Sequence, residues 1–462
     1  EGPPPEPPPD NNSYSHNYGV ESYLARINYG FKSRYYIDAR WRTDGSSRFH
    51  PSDRWGHFWS VGASWRISEE QFMENTRQWL DNLTLKVSYG VQGNDNLGTY
   101  YAWQGLYDYT GPNATDAGAF VDKLENRKVT WEKNGNLNAG IEATMFGGRL
   151  GVSVEYYNRK TRDMLLNSPL PISTGFTGFN DNVGSLRNQG LEVSLRGTIL
   201  DKRDFRWDAT LMGSFNRNKV LSLTGGQDVI TSGIRVIEVG RPIYTFYLPK
   251  TAGVDPATGK QLYYAYWTQT VNDEGTLVNT RCDEYITDNV AMATLSKYYH
   301  ESREPKLFGS IGSTFTILKN IDVSFLTTYS IGGWVYDGLY NGSMYVQYAG
   351  NNWHKNAKRS RQKPGDKTDV PMLEVGGSYA TTSNSLIDAS YFAIKNITVG
   401  YTLPKRWLKK IDIESLRIYA TLDNIAMFNH MDGMDPQYNF TGSVAYSYTP
   451  SRVIAFGIDL NF

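Results

Sequence analysis

Along much of the chain, apolar and polar residues change places at every step. Trp55, His57, Trp59, Val61, Ala63, Trp65 and Ile67 alternate with Gly56, Phe58, Ser60, Gly62, Ser64, Arg66 and Ser68. Successive side chains of a β-strand point to opposite faces, so this period of two predicts a strand with an apolar, Trp-bearing face and a small, polar one. The pattern returns in Tyr35, Ile37, Ala39 and Trp41, in Leu83, Leu85, Val87 and Tyr89, in Leu191, Val193 and Leu195, and in Leu416, Ile418, Ala420 and Leu422. About thirteen such runs follow one another. They lie at 20–31, 33–44, 57–68, 81–92, 136–147, 149–162, 188–200, 203–218, 306–318, 320–333, 390–403, 414–425 and 451–462.

The connections alternate as well. Tight ones at 31–33, 146–149, 201–204 and 318–320, with medium links at 69–80 and 404–413, rotate with long ones at 93–135, 163–187, 219–305, 334–389 and 426–450. Soluble domains seldom carry structureless loops of that length. Outer-membrane barrels do so by rule, with short periplasmic turns and long extracellular loops. The expected fold is therefore all-β, a transmembrane antiparallel β-barrel with its apolar face on lipid and its polar face inward. Trp55 and Trp65 share a face ten residues apart. At about 3.3 Å per residue and a tilt of about 40° they are separated by roughly 25 Å along the membrane normal, the height of the apolar band between aromatic girdles. A large soluble sandwich or propeller also alternates, but needs neither such a band nor such lopsided loops.

Composition agrees with this. Tyr 33, Trp 12 and Phe 19 make 14% of the 462 residues aromatic, and the mean hydropathy is −0.50. No run of about 18 apolar residues occurs, which excludes helical membrane spans. Lys+Arg 47 balances Asp+Glu 47, so nothing in the net charge invites nucleic acid. The single Cys282 can form no internal disulfide, and the six His show no metal-site spacing. The opening EGPPPEPPPDNN is expected to be extended polyproline II, making residues 1–19 an extracellular Pro-rich segment or a fragment boundary.

The run DGSSRFHPSDRWGHFWSVGASWRISEEQFM resembles a strand–turn–strand block of the SusC-like (SusC/RagA) TonB-dependent transporters of the Bacteroidetes outer membrane. Further blocks follow in order: LKVSYGVQGN at 85–94, WEKNGNLNAGIEATMFGGRLGVSVEYYNRKTRDMLL at 131–166, STGFTGFNDNVGSLRNQGLEVSL at 173–195, SYFAIKNITVGYTLP at 390–404 and GIDLNF at 457–462. The resemblance implies a plugged barrel of the 22-stranded class, with residues 20–462 supplying about its last thirteen strands. It also implies energy from an inner-membrane TonB complex and a SusD-like lipoprotein lid. Plug, TonB box and first strands find no match here. An odd, open set of strands leaves two unpaired edges in hydrocarbon. A separate chain or a preceding segment is therefore expected to supply the plug and the remaining strands.

The long loops alone can converge over the mouth of such a barrel, and they are rich in aromatics. Tyr100, Tyr101, Trp103, Tyr107 and Tyr109 stand in one, Tyr244, Tyr247, Tyr263, Tyr264, Tyr266 and Trp267 in another, and Tyr340, Tyr345, Tyr348 and Trp353 in a third. Flat rings with polar edges stack on sugar faces and also suit peptides, so Tyr101, Trp103, Tyr107, Tyr264, Trp267, Tyr348 and Trp353 are the substrate-binding candidates. Loops this long also need aromatic staples to fold on themselves. No catalytic constellation stands out: the carboxylate pairs Glu69/Glu70 and Asp201/Asp204 sit at turns, where solvated charge is the simpler role. HMDGMDPQYN (430–439) carries oxygen ligands that could hold calcium, yet lacks the Glu that closes an EF-hand loop, so no cofactor is expected. KRSRQK (358–363) could touch anionic lipopolysaccharide. Phe456, Ile458, Leu460 and Phe462 resemble the C-terminal signal read by the barrel-assembly machinery, and they are also lipid-facing by parity. These features give an outer-membrane, non-enzymatic importer of oligosaccharides or peptides, with a passive porin or a surface glycan-binding adhesin as the alternative.

Overall fold

A computed structural model describes residues 15–113, 116–223, 228–344, 350, 352–374, 377, 379–408, 413–431, 433–437, 440–444 and 448–462. Thirteen strands form one antiparallel sheet in chain order: β1 (Val20–Phe31), β2 (Tyr35–Ser46), β3 (Trp55–Arg66), β4 (Leu80–Asn94), β5 (Glu132–Met145), β6 (Leu150–Arg162), β7 (Ser185–Lys202), β8 (Phe205–Ser222), β9 (Leu307–Ile317), β10 (Ile321–Ile331), β11 (Tyr391–Thr402), β12 (Ser415–Asn429) and β13 (Val453–Asn461). Each of the thirteen runs read from the sequence overlaps one of these strands.

Register keeps the two faces distinct across the whole wall. One cross-strand row runs Tyr29, Ile37, Ala63, Val87, Ala139, Tyr156, Leu191, Phe215 through β1–β8. The row one residue away runs Asn28, Asp38, Gly62, Ser88, Asn138, Tyr157, Gly190, Asn216. A slip of one residue in any strand would place its apolar set on the polar side, which is why period-two sequences pin the register so firmly. The apolar row is left uncovered by the chain. Trp59, Val61, Ile141 and Phe215 are all exposed, as lipid-facing residues of a barrel must be. The polar face is the inner one, because the loops fold against it: Phe58 on that face is buried under Trp131 with the rings 5.3 Å apart.

The tight turns have a definite chemistry. Lys32 and Ser33 both adopt positive φ, 49° and 53°, and so do Leu318 and Lys319, 51° and 64°. The hairpins close through Arg34 N–H to Phe31 O and Asn320 N–H to Ile317 O. Positive φ at both central positions is the primed geometry that matches strand twist, reached here without glycine. The medium links carry short helical turns at Ile67–Glu69 and Gln71–Thr76 and at Lys405–Leu408. Glu70 there collects Tyr35 OH, Trp65 Nε1 and Arg34 Nη1, and Glu69 pairs with Arg66.

On the inner face, ion pairs tie neighbouring strands through Arg26 to Asp38 and Lys86 to Glu142, and within β2 Arg40 also reaches Asp38 and Arg42 reaches Asp44. Arg417 of β12 spans further. It donates to Asp459 on β13 and, across the whole of β11, to Asp322 on β10 at 2.7 Å. The crossing point is Gly400, where a Cβ would stand 2.5 Å from Asp322 Oδ1 and 2.6 Å from Arg417 Nη2. At the margins of the sheet, every residue of β1 is exposed on both faces, and all of β13 but Gly457 likewise.

Candidate functional site

The segment between β8 and β9 folds into its own sheet of six strands, Val229–Ser232, Arg235–Glu238, Thr245–Val254, Gln261–Val271, Leu277–Thr287 and Lys297–Ser302. Its central hairpin follows from local sequence. QLYYAYWTQTV alternates with Gln261, Tyr263 and Ala265 buried. The Asn272 carboxamide accepts from Glu274 and Thr276 N–H, and Gly275 takes the positive φ that closes the turn. Asn289 then caps the helix Val290–Leu295 by accepting from Ala291 and Met292 N–H, which lays Ala293 against Tyr263.

This sheet is stitched to the other long loops. Trp334–Asp337 pairs antiparallel with Leu386–Asp388 and parallel with Ser443–Val444, joining the β10–β11 loop to the β12–β13 loop. Phe246 and Leu248 pack with Tyr336 and Leu386 in one cluster, and Val335, Ala389, Met431, Met434 and Val444 make a second. Polar contacts follow the same seams. Arg303 donates to Pro436 O at 2.7 Å, Arg235 to Thr441 Oγ1 at 3.1 Å, Ala380 N–H to Tyr263 OH at 3.2 Å, and Arg361 to Ala257 O. Burial weakens the proton affinity of Arg303. Beside it, burial raises the Glu304 carboxyl, partly opposed by the Asn218 N–H that it accepts at 3.1 Å.

Within the cover lies a cavity of about 800 Å³ lined by Arg241, Lys250, Tyr298, Tyr299, His300 and Trp334 among others. Cations lie on its aromatic rings, Arg241 3.7 Å above Tyr299 and Lys250 5.7 Å from the centre of Tyr298, and Lys250 also stands 4.3 Å from the centre of Tyr264 outside the lining. His300 Nε2 lies 3.2 Å from Leu248 O, and burial holds the imidazole below its usual pKa. Nε2–H is the donor in that contact, since a carbonyl oxygen only accepts. Burial, with a hydrogen bond to Tyr247, pushes Tyr266 up to about 12. A second groove of about 800 Å³ on the inner face is lined by Tyr18, Arg40, Arg42, Asp44, Ser60, Ser88, Gln92 and Asn136.

The sequence candidates fall on separate loops. The Tyr101 hydroxyl accepts Asn17 N–H at 3.1 Å, with its ring 5.9 Å from His16. Trp103 meets His50 edge-on and packs on the Phe49, Phe58, Val129 and Trp131 cluster. Tyr107 is exposed on the strand Leu106–Asn113. Tyr264 carries Lys250 on its face, and Trp267 is half-buried, its carbonyl accepting Tyr285 OH at 2.9 Å. Trp353 packs on Met344, Ala357 and Val370. Tyr348 lies outside the described residues, as does Asp432 of the candidate calcium segment, whose buried Asp435 accepts Gln437 N–H at 2.8 Å. The cavity is bordered instead by the run Lys297–Ser302, KYYHES, which sequence reasoning passed over. Two adjacent Tyr and a His inside a long loop were the available signal. At the other end of the chain Phe456, Ile458, Leu460 and Phe462 stand exposed on the outer side of β13, Phe456 opposite Ala420 and Leu460 opposite Leu416.

A lipid-exposed apolar band, a polar inner face and a loop cover are what the comparisons with known proteins meet. The family model "TonB dependent receptor-like, beta-barrel" matches residues 1–425. The chain belongs to this family of outer-membrane β-barrels. It is 28% identical to the TonB-dependent receptor SusC of Bacteroides thetaiotaomicron over 97% of its length, and 29% identical to the TonB-dependent receptor P26 of Formosa agariphila over 96%. Those alignments cover 44% and 46% of the relatives, so the chain spans about half the length of the curated relatives that it matches. Among solved structures it is similar to the RagAB peptide transporter, with a TM-score of 0.82 and 29% identity over 96% of this chain and 48% of that one. The wall of thirteen antiparallel strands is thus a TonB-dependent receptor barrel wall, seated in the outer membrane.

Proposed function

We propose that this chain is the C-terminal wall and loop cover of a TonB-dependent importer of the SusC/RagA kind, which takes oligosaccharides or peptides into the periplasm. The observation that carries the reading is the cover itself, in which three long loops interlock above an inner face of Ser, Gly, Asn and paired charges. Such a cover suits capture of a polar molecule too large to diffuse through a pore, and a hydrophilic inner face suits its passage. In this reading a SusD-like lipoprotein closes over the cover, and TonB acts through a plug. The exposed margins at β1 and β13 need partner strands, since unpaired N–H and C=O groups in hydrocarbon cost several kcal/mol each. The cations on Tyr rings around the cavity suit sugar hydroxyls and peptide carboxylates alike.

The test is uptake of labelled oligosaccharides and labelled peptides by cells with and without the gene, each with TonB present or deleted. Uptake of one class that needs both the gene and TonB is the expected result. Uptake that persists without TonB would replace the importer by a passive pore, and surface binding without uptake would replace it by an adhesin.

A further inference from the structure

The outward side of the wall does not end in apolar residues everywhere. On β6 the outward residues run Val152, Val154, Tyr156, Asn158, Lys160 and Arg162 toward the loops, and on β8 Leu211, Gly213, Phe215, Arg217 and Lys219. Tyr156, Leu191 and Phe215 share one row. Two rows further out, Lys160 stands opposite Arg187 of β7, and Arg187 opposite Lys219. Arg162 in turn faces Lys133 of β5. Six cations, Lys133, Lys160, Arg162, Arg187, Arg217 and Lys219, thus occupy one patch on the lipid side of four adjacent strands.

Acidic groups do not neutralise it. Among the described residues Asp163, 3.6 Å from Lys133, is the one carboxylate paired with any of the six. Arg187 Nε is buried and has no hydrogen-bond partner among the described residues. Like charges directly opposite each other destabilise a sheet, and here three stand in line. At about 3.3 Å per residue and a tilt of about 40°, the patch lies roughly 5–15 Å beyond the last apolar row, at the depth of lipid headgroups rather than of the hydrocarbon.

We infer that this patch binds the phosphate groups of lipopolysaccharide in the outer leaflet, the guanidinium forks engaging phosphate oxygens in pairs and the ammonium groups acting as point charges. The basic segment 358–363 is occupied otherwise: Arg359 pairs with Asp369 at 3.1 Å, and Arg361 is buried in the seam between two loops. The inference is independent of what the importer carries.

The test uses the full-length protein in lipid nanodiscs containing phosphorylated lipid A, dephosphorylated lipid A or phosphatidylglycerol, with the lipid retained through a detergent wash counted by native mass spectrometry. Phosphorylated lipid A is expected to stay bound, and the triple variant Lys160→Gln/Arg187→Gln/Lys219→Gln to retain about tenfold less, as loss of a few charge-assisted hydrogen bonds predicts. The control Lys358→Gln/Lys363→Gln is expected to retain as much as wild type. Should the triple variant fail to show the folded band of an unheated gel sample, the single variants Lys160→Gln and Lys219→Gln, each expected to lose about threefold, decide the matter. Equal retention by the folded variants, or equal retention of dephosphorylated lipid A or phosphatidylglycerol by wild type, overturns the inference.

Discussion

Single residues show where this wall has no slack. Gly400 is the plainest, since Arg417 can reach Asp322 two strands away only over a strand with no side chain at that point. Gly400→Ala is expected to push the guanidinium off Asp322 while leaving Asp459 in reach, costing about 1 kcal/mol, the scale of a water-accessible ion pair. Urea unfolding of the detergent-solubilised protein measures it, and an unchanged midpoint would mean that the bridge contributes nothing. Glu304 supplies a pH dependence. Its carboxyl is raised above the ordinary value of 4.5, chiefly by burial, so the folded loop prefers it protonated. Stability from this group is therefore present in full below the unfolded pKa and is lost as pH rises through the folded one. Glu304→Gln, which keeps an acceptor for Asn218 N–H, should remove that loss, so that protection of the loop from protease no longer falls as the pH rises from the ordinary Glu range to neutrality.

Elements were legible in the sequence wherever one face met lipid and the other met water. All thirteen wall strands announce themselves by period two, because a one-residue error in any of them would expose charge to hydrocarbon. The strands of the cover were not visible in the same way. Gln261–Val271 alternates over its first half, with Gln261, Tyr263 and Ala265 buried, but Val229–Ser232 and Arg235–Glu238 at the edge of the same sheet are four residues each, too short for a period to register. Lys297–Ser302, in turn, pairs with Thr245–Val254 across the intervening hairpin rather than with its neighbour in the chain. The candidate aromatics suffered from the same blindness. Composition picks out Trp103 and Trp353, yet it cannot separate a ring that closes its own loop's cluster from one that borders a cavity, as Tyr298 and Tyr299 do. The turns carry an expected outcome of their own. Lys319 sits at φ 64°, a region that costs a non-glycine residue roughly 1 kcal/mol. Lys319→Gly should therefore raise the unfolding free energy by about that amount, measured as a higher urea midpoint, and a lower midpoint would show that the lysine side chain holds the turn.

At the scale of the whole molecule, the last strand joins packing to assembly. Phe456, Ile458, Leu460 and Phe462 lie exposed along one side of β13, and lipid contact accounts for all four. Deleting Phe462 separates that role from recognition by the assembly machinery. Loss of one aromatic just past the end of β13 should change the stability of the finished barrel little, whereas a recognition role predicts a several-fold fall in protein reaching the outer-membrane fraction. Equal amounts in that fraction would leave Phe462 as a lipid contact only.

The stitching of the loops also bears on how the mouth can move. A strand drawn from each of two loops, guanidinium groups reaching carbonyls on another and two hydrophobic clusters that together draw on all three tie the described parts of these loops to one another. If the chain is the importer wall proposed above, opening is expected to tilt these stitched parts as a body, like a hinged hatch rather than a curtain of separate threads. A cut at the exposed tip near Asn272 would accordingly leave both halves in place.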